Sequence, residues 1–454
     1  MRLPWLRARL RLVVLAGWDL VMLLLAYAGT YQLRIGGWWG ESSEAWGFAL
    51  AWLVFSYLLG RYSRESPQRS VALRRLGLAL AAAALLLLAV QLNSWLARVL
   101  MEATRFRGFL LPWLGLVVLG SLLGQTLLRR RSVVGLPWLL VASPAEQQVL
   151  ERELAGERRR WGADGLSWRC CSLSELDAQL KDQELAGVAI STAALGTQRP
   201  SELGVLLAAR KRGLSCCALD SWCERQLQRL PPELFDPDAL LVGEGFQLQP
   251  GCFIWRLKRF GDVLGAALLL FATAPLLLLA MLLIKLEDGG PLLYRQHRSG
   301  QYGSLIWLTK LRTMAVDAEA SGIRWATPGD PRITRVGHWL RRWRIDELPQ
   351  LVSVLSGEMS LIGPRPERPE LEQQLEAQIP QYRLRHWLRP GLSGWAQVCF
   401  PYGASVADSR AKLSYDLYYL RNAGPLLDLL IVGMTLRLVV GGRGAVACRS
   451  GHGG

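Results

Sequence analysis

Histidine is scarce in this chain, with four in 454 residues. The eight cysteines include two adjacent pairs, Cys170–Cys171 and Cys216–Cys217, each inside an apolar run. Neither pair has the two-residue gap of a zinc site, so zinc and haem chemistry are excluded as first readings and the thiols read as buried in a reducing compartment. A glycine-rich turn is also missing. Candidate strand 138–141 runs into Ala142-Ser143-Pro144-Ala145 where a dinucleotide fold needs its glycines. That excludes nicotinamide chemistry, and with it a nucleotide-sugar dehydratase or epimerase. Acidic residues are outnumbered, 37 against 53 Lys and Arg, for a formal net charge of +16. No recognisable nucleic-acid module accompanies that charge, so nucleic acid is not an expected partner.

What is present is apolar. Half the chain is hydrophobic and the mean hydropathy is +0.19. A basic, apolar chain suits an anionic membrane face or phosphorylated substrates. Four apolar segments open it, over residues 12–31, 45–59, 76–92 and 109–128, each near spanning length and the second short. Arg2, Arg7, Arg9 and Arg11 precede the first. Arg61, Arg64, Arg69, Arg74 and Arg75 lie between the second and third, and Arg129, Arg130 and Arg131 follow the fourth. Basic residues favour the cytoplasmic side, which puts the N-terminus and everything after Arg129 there, although Arg98, Arg105 and Arg107 fall on the outer side. Asp19 inside the first apolar core, and the three further segments, argue against a cleaved signal peptide.

The chain divides into 1–132, a four-helix transmembrane region; 133–245, a Rossmann-like α/β domain; and 246–454, a mainly helical, monotopic catalytic domain. In the second part, candidate strands 138–141, 167–171, 188–191 and 214–219 alternate with helical patterns at 145–154 and 201–212, which implies a parallel sheet. Asp236-Pro237-Asp238 has the look of a metal-binding Asp-x-Asp, but its proline-rich surroundings read as a turn.

The third part opens on another apolar segment, 263–284. It is long enough to span, yet basic on both flanks (Arg256, Lys258 and Arg259 before; Lys285, Arg295 and Arg298 after) and interrupted by Pro275. A helix that enters the membrane, bends at Pro275 and returns satisfies both features; a fifth spanning helix is the competing reading. Residues 426–440 are apolar but hold Asp428 and Arg437, which suits a helix lying in the interface.

The densest chemistry is Arg341-Arg342-Trp343-Arg344-Ile345-Asp346-Glu347-Leu348-Pro349-Gln350. Leu348, Leu351, Val352 and Leu355 share one helical face, with Asp346 as N-cap or first-turn residue. Capping alone would explain an isolated acid there. Two adjacent acids among arginines also supply an oxygen nucleophile and a ligand for Mg2+, and neighbours on a helix point apart, so one acid attacks while the other holds the metal. Lys310 and Arg312 could reach a diphosphate or simply be a solvated strand edge. Arg365 is stiffened between Pro364 and Pro366 after Gly363. Arg389-Pro390-Gly391 opens a second stiff turn ending in Trp395-Ala396-Gln397, and either turn could be only a loop.

Together these residues resemble the bacterial polyprenyl-phosphate glycosyl-1-phosphate transferases, initiating enzymes of exopolysaccharide and capsule assembly. The likeness covers residues 256–444. It includes Lys258-Arg259-x-x-Asp262, Asp288-Gly289-Gly290-Pro291, Asp330-Pro331-Arg332, Asp346-Glu347-Leu348-Pro349-Gln350, Gly363-Pro364-Arg365-Pro366, Arg389-Pro390-Gly391 and Tyr415-Asp416-x-Tyr418-Tyr419. The N-terminal part resembles the large membrane-anchored branch more loosely. The resemblance implies a reaction at the cytoplasmic face of the bacterial inner membrane. Asp346 would attack the sugar-side phosphate of a UDP-sugar and release UMP. The sugar phosphate would then pass to undecaprenyl phosphate. Glu347 would bind magnesium, with Lys310, Arg341 and Arg365 around the diphosphate; Arg312 and Arg389 complete the candidate substrate-binding cations. The family's re-entrant helix matches the Pro275 segment, although Ala274 replaces its usual serine. Phe400-Pro401-Tyr402-Gly403-Ala404-Ser405 replaces the asparagine-rich loop of small members. A membrane glycosyltransferase or a non-enzymatic polysaccharide scaffold are the rivals. The sugar and any homo-oligomer are left open.

Overall fold

The computed structural model describes residues 9–35, 43–62, 71–96, 109–129, 136–161, 167–172, 175–182, 185–191, 193, 199–211, 213–235, 252–316, 318, 330–400 and 405–440. The Asp236-Pro237-Asp238 turn, residues 401–404 and most of the arginines between the N-terminal apolar segments lie outside them. The chain forms two compact units, one holding residues 5–137 with 155–167 and the other the parallel sheet and the C-terminal part.

The first unit is built on α1 (Leu10–Ile35), α2 (Ser43–Leu58), α3 (Val71–Leu96) and α4 (Leu111–Arg129). Three of them contain stretches long and apolar enough to cross a membrane, Leu12–Arg34, Leu73–Leu92 and Leu111–Leu128; the second is shorter, Ala45–Leu58. Leu23, Tyr27, Trp52, Leu86, Trp113 and Val117 are buried between them, with Ala79 and Ala82 letting the backbones approach. Asp19 sits at a buried polar knot. It accepts from Trp52 Nε1 (3.1 Å), the Tyr62 hydroxyl (2.8 Å) and the Ser121 hydroxyl, and pairs with Arg61 at 3.5 Å. Arg61 is therefore not a loop charge, as its position in the sequence suggests, but a buried counter-ion 2% exposed. Removing one member of such a pair strands the other. Asp19→Ala should cost about 3 kcal/mol, read as a lower melting temperature in detergent, and Arg61→Met on top of it should recover part of the loss.

In the second unit, β1 (Trp138–Val141), α5 (Pro144–Trp161), β2 (Trp168–Cys171), α6 (Leu176–Asp182), β3 (Gly187–Ile190), α7 (Arg199–Lys211), β4 (Ser215–Ala218) and α8 (Leu219–Leu227) alternate. The strands form one parallel sheet in the order β2-β1-β3-β4, each within a residue of its sequence expectation. Helices between successive strands require that arrangement, because a parallel neighbour needs a crossover. The amide of Ser143 donates to Glu146 Oε2 at 2.8 Å and the Ser191 hydroxyl to Oε1, so a carboxylate of the chain itself fills the α5 N-terminus.

The C-terminal part opens with α9 (Phe253–Asp288), 36 residues and the fourth helix long enough to cross a membrane. It starts ten residues before the apolar segment and remains helical through Pro275, which a single missing amide permits. The Thr273 hydroxyl bonds back to Leu269 O (2.7 Å), a contact that bends helices. Residues on both sides of Pro275 pack on one fold. Ala266 joins Ile306, Leu308, Leu351 and Met359; Leu277, Ala280 and Ile284 join Leu311 and Leu340. At the helix start, Lys258 binds Asp428 (2.7 Å) and Ile362 O. Arg259 caps the carbonyls of Val354 (2.7 Å) and Leu355, while Asp262 accepts from Ser360 and the Leu361 amide. At its end, Asp288 pairs with Arg312 and Glu287 accepts from the Val336 amide.

There follow the hairpin β5 (Leu293–Ser299) and β6 (Leu305–Leu311), α10 (Arg335–Arg342), a 3-10 turn (Ile345–Gln350), α11 (Leu351–Ser356), β7 (Ser360–Ile362), α12 (Pro369–Glu376), a second 3-10 turn (Tyr382–Trp387), β8 (Gly391–Ser393), α13 (Trp395–Cys399), α14 (Val406–Asn422) and α15 (Pro425–Val440). On α15, Leu426, Leu429, Leu436 and Val440 are exposed.

Candidate active site

The acid pair lies on the 3-10 turn, which α10 reaches through Arg344 in the left-handed conformation at φ 57°. That backbone is uncommon outside glycine and reverses the chain. Three residues per turn over 345–350 shift the helical phase, so the expected apolar face is corrected: Leu351 and Val354 are buried, while Val352 is 59% exposed. No side chain caps this turn.

Asp346 and Glu347 are both buried, 8% and 6% exposed, but their surroundings differ. Glu347 gathers three cations. Its Oε1 accepts from Arg365 (2.7 Å) and Lys310 (3.3 Å), and its Oε2 from Arg344 (3.1 Å). Among the described residues, none hydrogen-bonds or ion-pairs with the Asp346 side chain. Burial, and after it the charge of Glu347, holds the Asp346 carboxyl above the usual carboxylate range, against the pull of Lys310, Arg341 and Arg344. Burial opposes ionisation of Glu347 as well, but Arg365, Lys310 and Arg344 outweigh it and hold that carboxyl well below its usual value. Burial also lowers the Lys310 ammonium. One acid is thus an anchor paired with three cations, and the other an oxygen group with no hydrogen-bond or ion-pair partner among the described residues.

The candidate cations divide. Lys310, on β6, and Arg365 meet at Glu347. Arg341 acts on Asp346 through space and donates to Thr313 Oγ1 at 2.8 Å. Arg312 is turned away: it binds Asp288 and the carbonyls of Pro291 and Met314. Arg389 lies over the Trp255 ring (5.1 Å), in a shallow cleft also lined by Lys258, Arg259, Asp262, Tyr302 and Trp387. Arg344 stands three residues before Glu347, the spacing that signals such a pair in the sequence. Arg298 and Arg385, which bond the carbonyls of Pro366 and Arg365, carry no local signal at all.

The Arg365 turn is set by glycine. Gly363 donates to Ser393 O (2.8 Å) and Gly391 to Pro364 O (2.8 Å). A Cβ on Gly363 would lie 2.3 Å from Arg389 O, so any side chain there pushes the two turns apart.

A divalent ion fits this donor set only in its minimal form. Among the described residues no group of three or more metal-ligating side chains exists. Magnesium, however, is commonly held by one or two carboxylates with substrate phosphates completing its shell, and Asp346–Glu347 supply those carboxylates.

Comparison with known proteins follows the same residues. The profile of the family described as bacterial sugar transferase matches residues 253–442. The chain is 45% identical over 189 residues to the UDP-N-acetylgalactosamine-undecaprenyl-phosphate N-acetylgalactosaminephosphotransferase of Aeromonas hydrophila, covering 42% of this chain and 45% of that protein. It is 39% identical over 223 residues to the undecaprenyl-phosphate glucose phosphotransferase of Komagataeibacter xylinus, covering 47% and 41%. It is 46% identical over 181 residues to the UDP-glucose:undecaprenyl-phosphate glucose-1-phosphate transferase of Caulobacter vibrioides, covering 39% and 68%. The matched stretch spans less than half the length of the first two relatives.

Proposed function

The chain belongs to the bacterial sugar transferase family, and from that premise we propose that it transfers a sugar-1-phosphate from a UDP-sugar to undecaprenyl phosphate, an opening step of polysaccharide assembly. The observation that carries the proposal is the asymmetry of the acid pair: Glu347 ion-pairs with Lys310, Arg344 and Arg365, whereas none of the described residues hydrogen-bonds or ion-pairs with the Asp346 side chain. An Asp346 carboxylate oxygen attacks the sugar-side phosphorus. The bond from that phosphorus to the bridging oxygen breaks, and UMP leaves with the oxygen. An oxygen of undecaprenyl phosphate then attacks the aspartyl-bound phosphorus and displaces the Asp346 carboxylate. The product is a diphosphate-linked lipid sugar. Lys310, Arg341, Arg344 and Arg365 neutralise the phosphate oxygens as charge shifts between them. Magnesium, held by Glu347 with Asp346 beside it, would add charge neutralisation on the diphosphate.

The proposal includes placement. Residues 133–245 are a Rossmann-like domain set before the catalytic domain, which lies on the cytoplasmic face of the inner membrane. Helix α9 enters the bilayer and returns. Support for the return is that Lys258, Arg259 and Asp262 at one end, and Glu287 and Asp288 at the other, bind the same fold, while Leu268, Phe271, Leu278 and Leu282 are left exposed. A spanning helix would separate those ends by the hydrocarbon thickness.

The test is nucleotide release. Solubilised protein, undecaprenyl phosphate, magnesium and a panel of UDP-sugars should yield UMP with at least one donor. UDP in its place would indicate a glycosyltransferase that moves sugar without phosphate.

A further inference from the structure

Proline has no amide hydrogen, so the Pro364-Arg365-Pro366 turn has one backbone donor and is held chiefly through its carbonyls. Pro364 O accepts from the Gly391 amide (2.8 Å), Arg365 O from Arg385 Nη2 (2.9 Å) and Pro366 O from Arg298 Nη1 (3.5 Å). The central contact falls on the residue whose guanidinium reaches Glu347.

Arg385 is itself fixed on every side. It is 5% exposed, donates to the Tyr382 hydroxyl (2.7 Å), lies 5.2 Å over that ring and pairs with Asp416 at 3.0 Å. Asp416 is 1% exposed, on α14. That helix is clamped to the parallel-sheet region along its length. Arg410 binds Glu153 (2.8 Å) and Glu233, Arg421 binds Asp220 (2.7 Å), and Ser414 O accepts from the Leu230 amide (2.8 Å). Among the described residues, no hydrogen bond or ion pair joins Arg385 or Asp416 to Asp346 or Glu347.

We infer that Arg385, oriented by Asp416, is a positioning residue that sets the Arg365 guanidinium at the acid pair, so that α14 ties the sheet region to the catalytic cations. This rests on the transfer reaction proposed above. A double-mutant cycle tests it: wild type, Arg365→Lys, Asp416→Asn and the double variant, with kcat and KM for UMP release and a melting temperature for each. Lysine keeps the positive charge at the clamp.

If Asp416 acts through Arg365, Asp416→Asn lowers kcat/KM about tenfold or more in the wild-type background, because small misplacements of a phosphate clamp are costly. It should then add less than about threefold in the Arg365→Lys background. Losses that multiply would mean that Asp416 and Arg385 only hold the fold together, and would overturn the inference. Should Asp416→Asn fail to fold, Tyr382→Phe removes a partner of the same guanidinium and runs the same cycle with the same two outcomes. Wild type that releases no UMP removes the reaction and this inference with it; active wild type with an additive cycle removes the inference alone.

Discussion

Asp346→Asn should lower UMP release by about four orders of magnitude or more, because loss of a covalent nucleophile is among the largest single-residue effects on an enzyme. The same variant should melt no lower than the wild type. Asp346 is buried, makes no hydrogen bond or ion pair among the described residues, and burial disfavours its charge. An amide of the same shape gives up no contact and relieves that cost. Rate and melting temperature measured on one preparation separate chemistry from folding. Substantial turnover by the variant would remove Asp346 as nucleophile, and a large fall in melting temperature would remove the account of its surroundings.

Glu347→Gln should do the opposite to stability. The carboxylate is the shared counter-charge of Lys310, Arg344 and Arg365, and its removal leaves three cations facing one another. Breaking a buried pair costs several kcal/mol; since the Arg344 and Arg365 side chains are 31% and 32% exposed, solvent recovers part of it. About 2 kcal/mol of destabilisation is expected, seen as a melting temperature a few degrees lower and most marked at low salt, together with loss of transfer. Two adjacent, shape-conserving substitutions that both stop the reaction but move stability differently would establish that the acids have different roles. Equal melting temperatures for the two variants would contradict the asymmetry.

Much of this arrangement is legible without coordinates wherever the signal is local. Alternation of short apolar strands with helical patterns specifies a parallel sheet, and its strands fall within one residue of expectation. The long apolar helices follow from composition. Asp346-Glu347 with Arg341 and Arg344 is adjacent in the chain and needs no fold to be noticed. The errors are also informative. Arg61 looks like a loop charge until Asp19, from another helix, is seen to hold it. Val352 looks buried until a 3-10 turn changes the phase. Arg312, read from the sequence beside Lys310, pairs with Asp288 in the fold.

Residue inventory, secondary-structure period, long apolar segments and the presence of an acid pair among arginines are thus written in neighbouring residues. Which acid pairs with the cations was decided elsewhere. Lys310 lies 37 positions before Glu347 and Arg365 18 positions after it, yet both donate to the same carboxylate oxygen. Their meeting depends on the hairpin register, the left-handed turn at Arg344 and the backbone crossing of Gly363 and Gly391. The reason is physical: torsional preference and hydrophobic period act over a few residues, whereas ionisation and reactivity depend on charges and burial brought together through space.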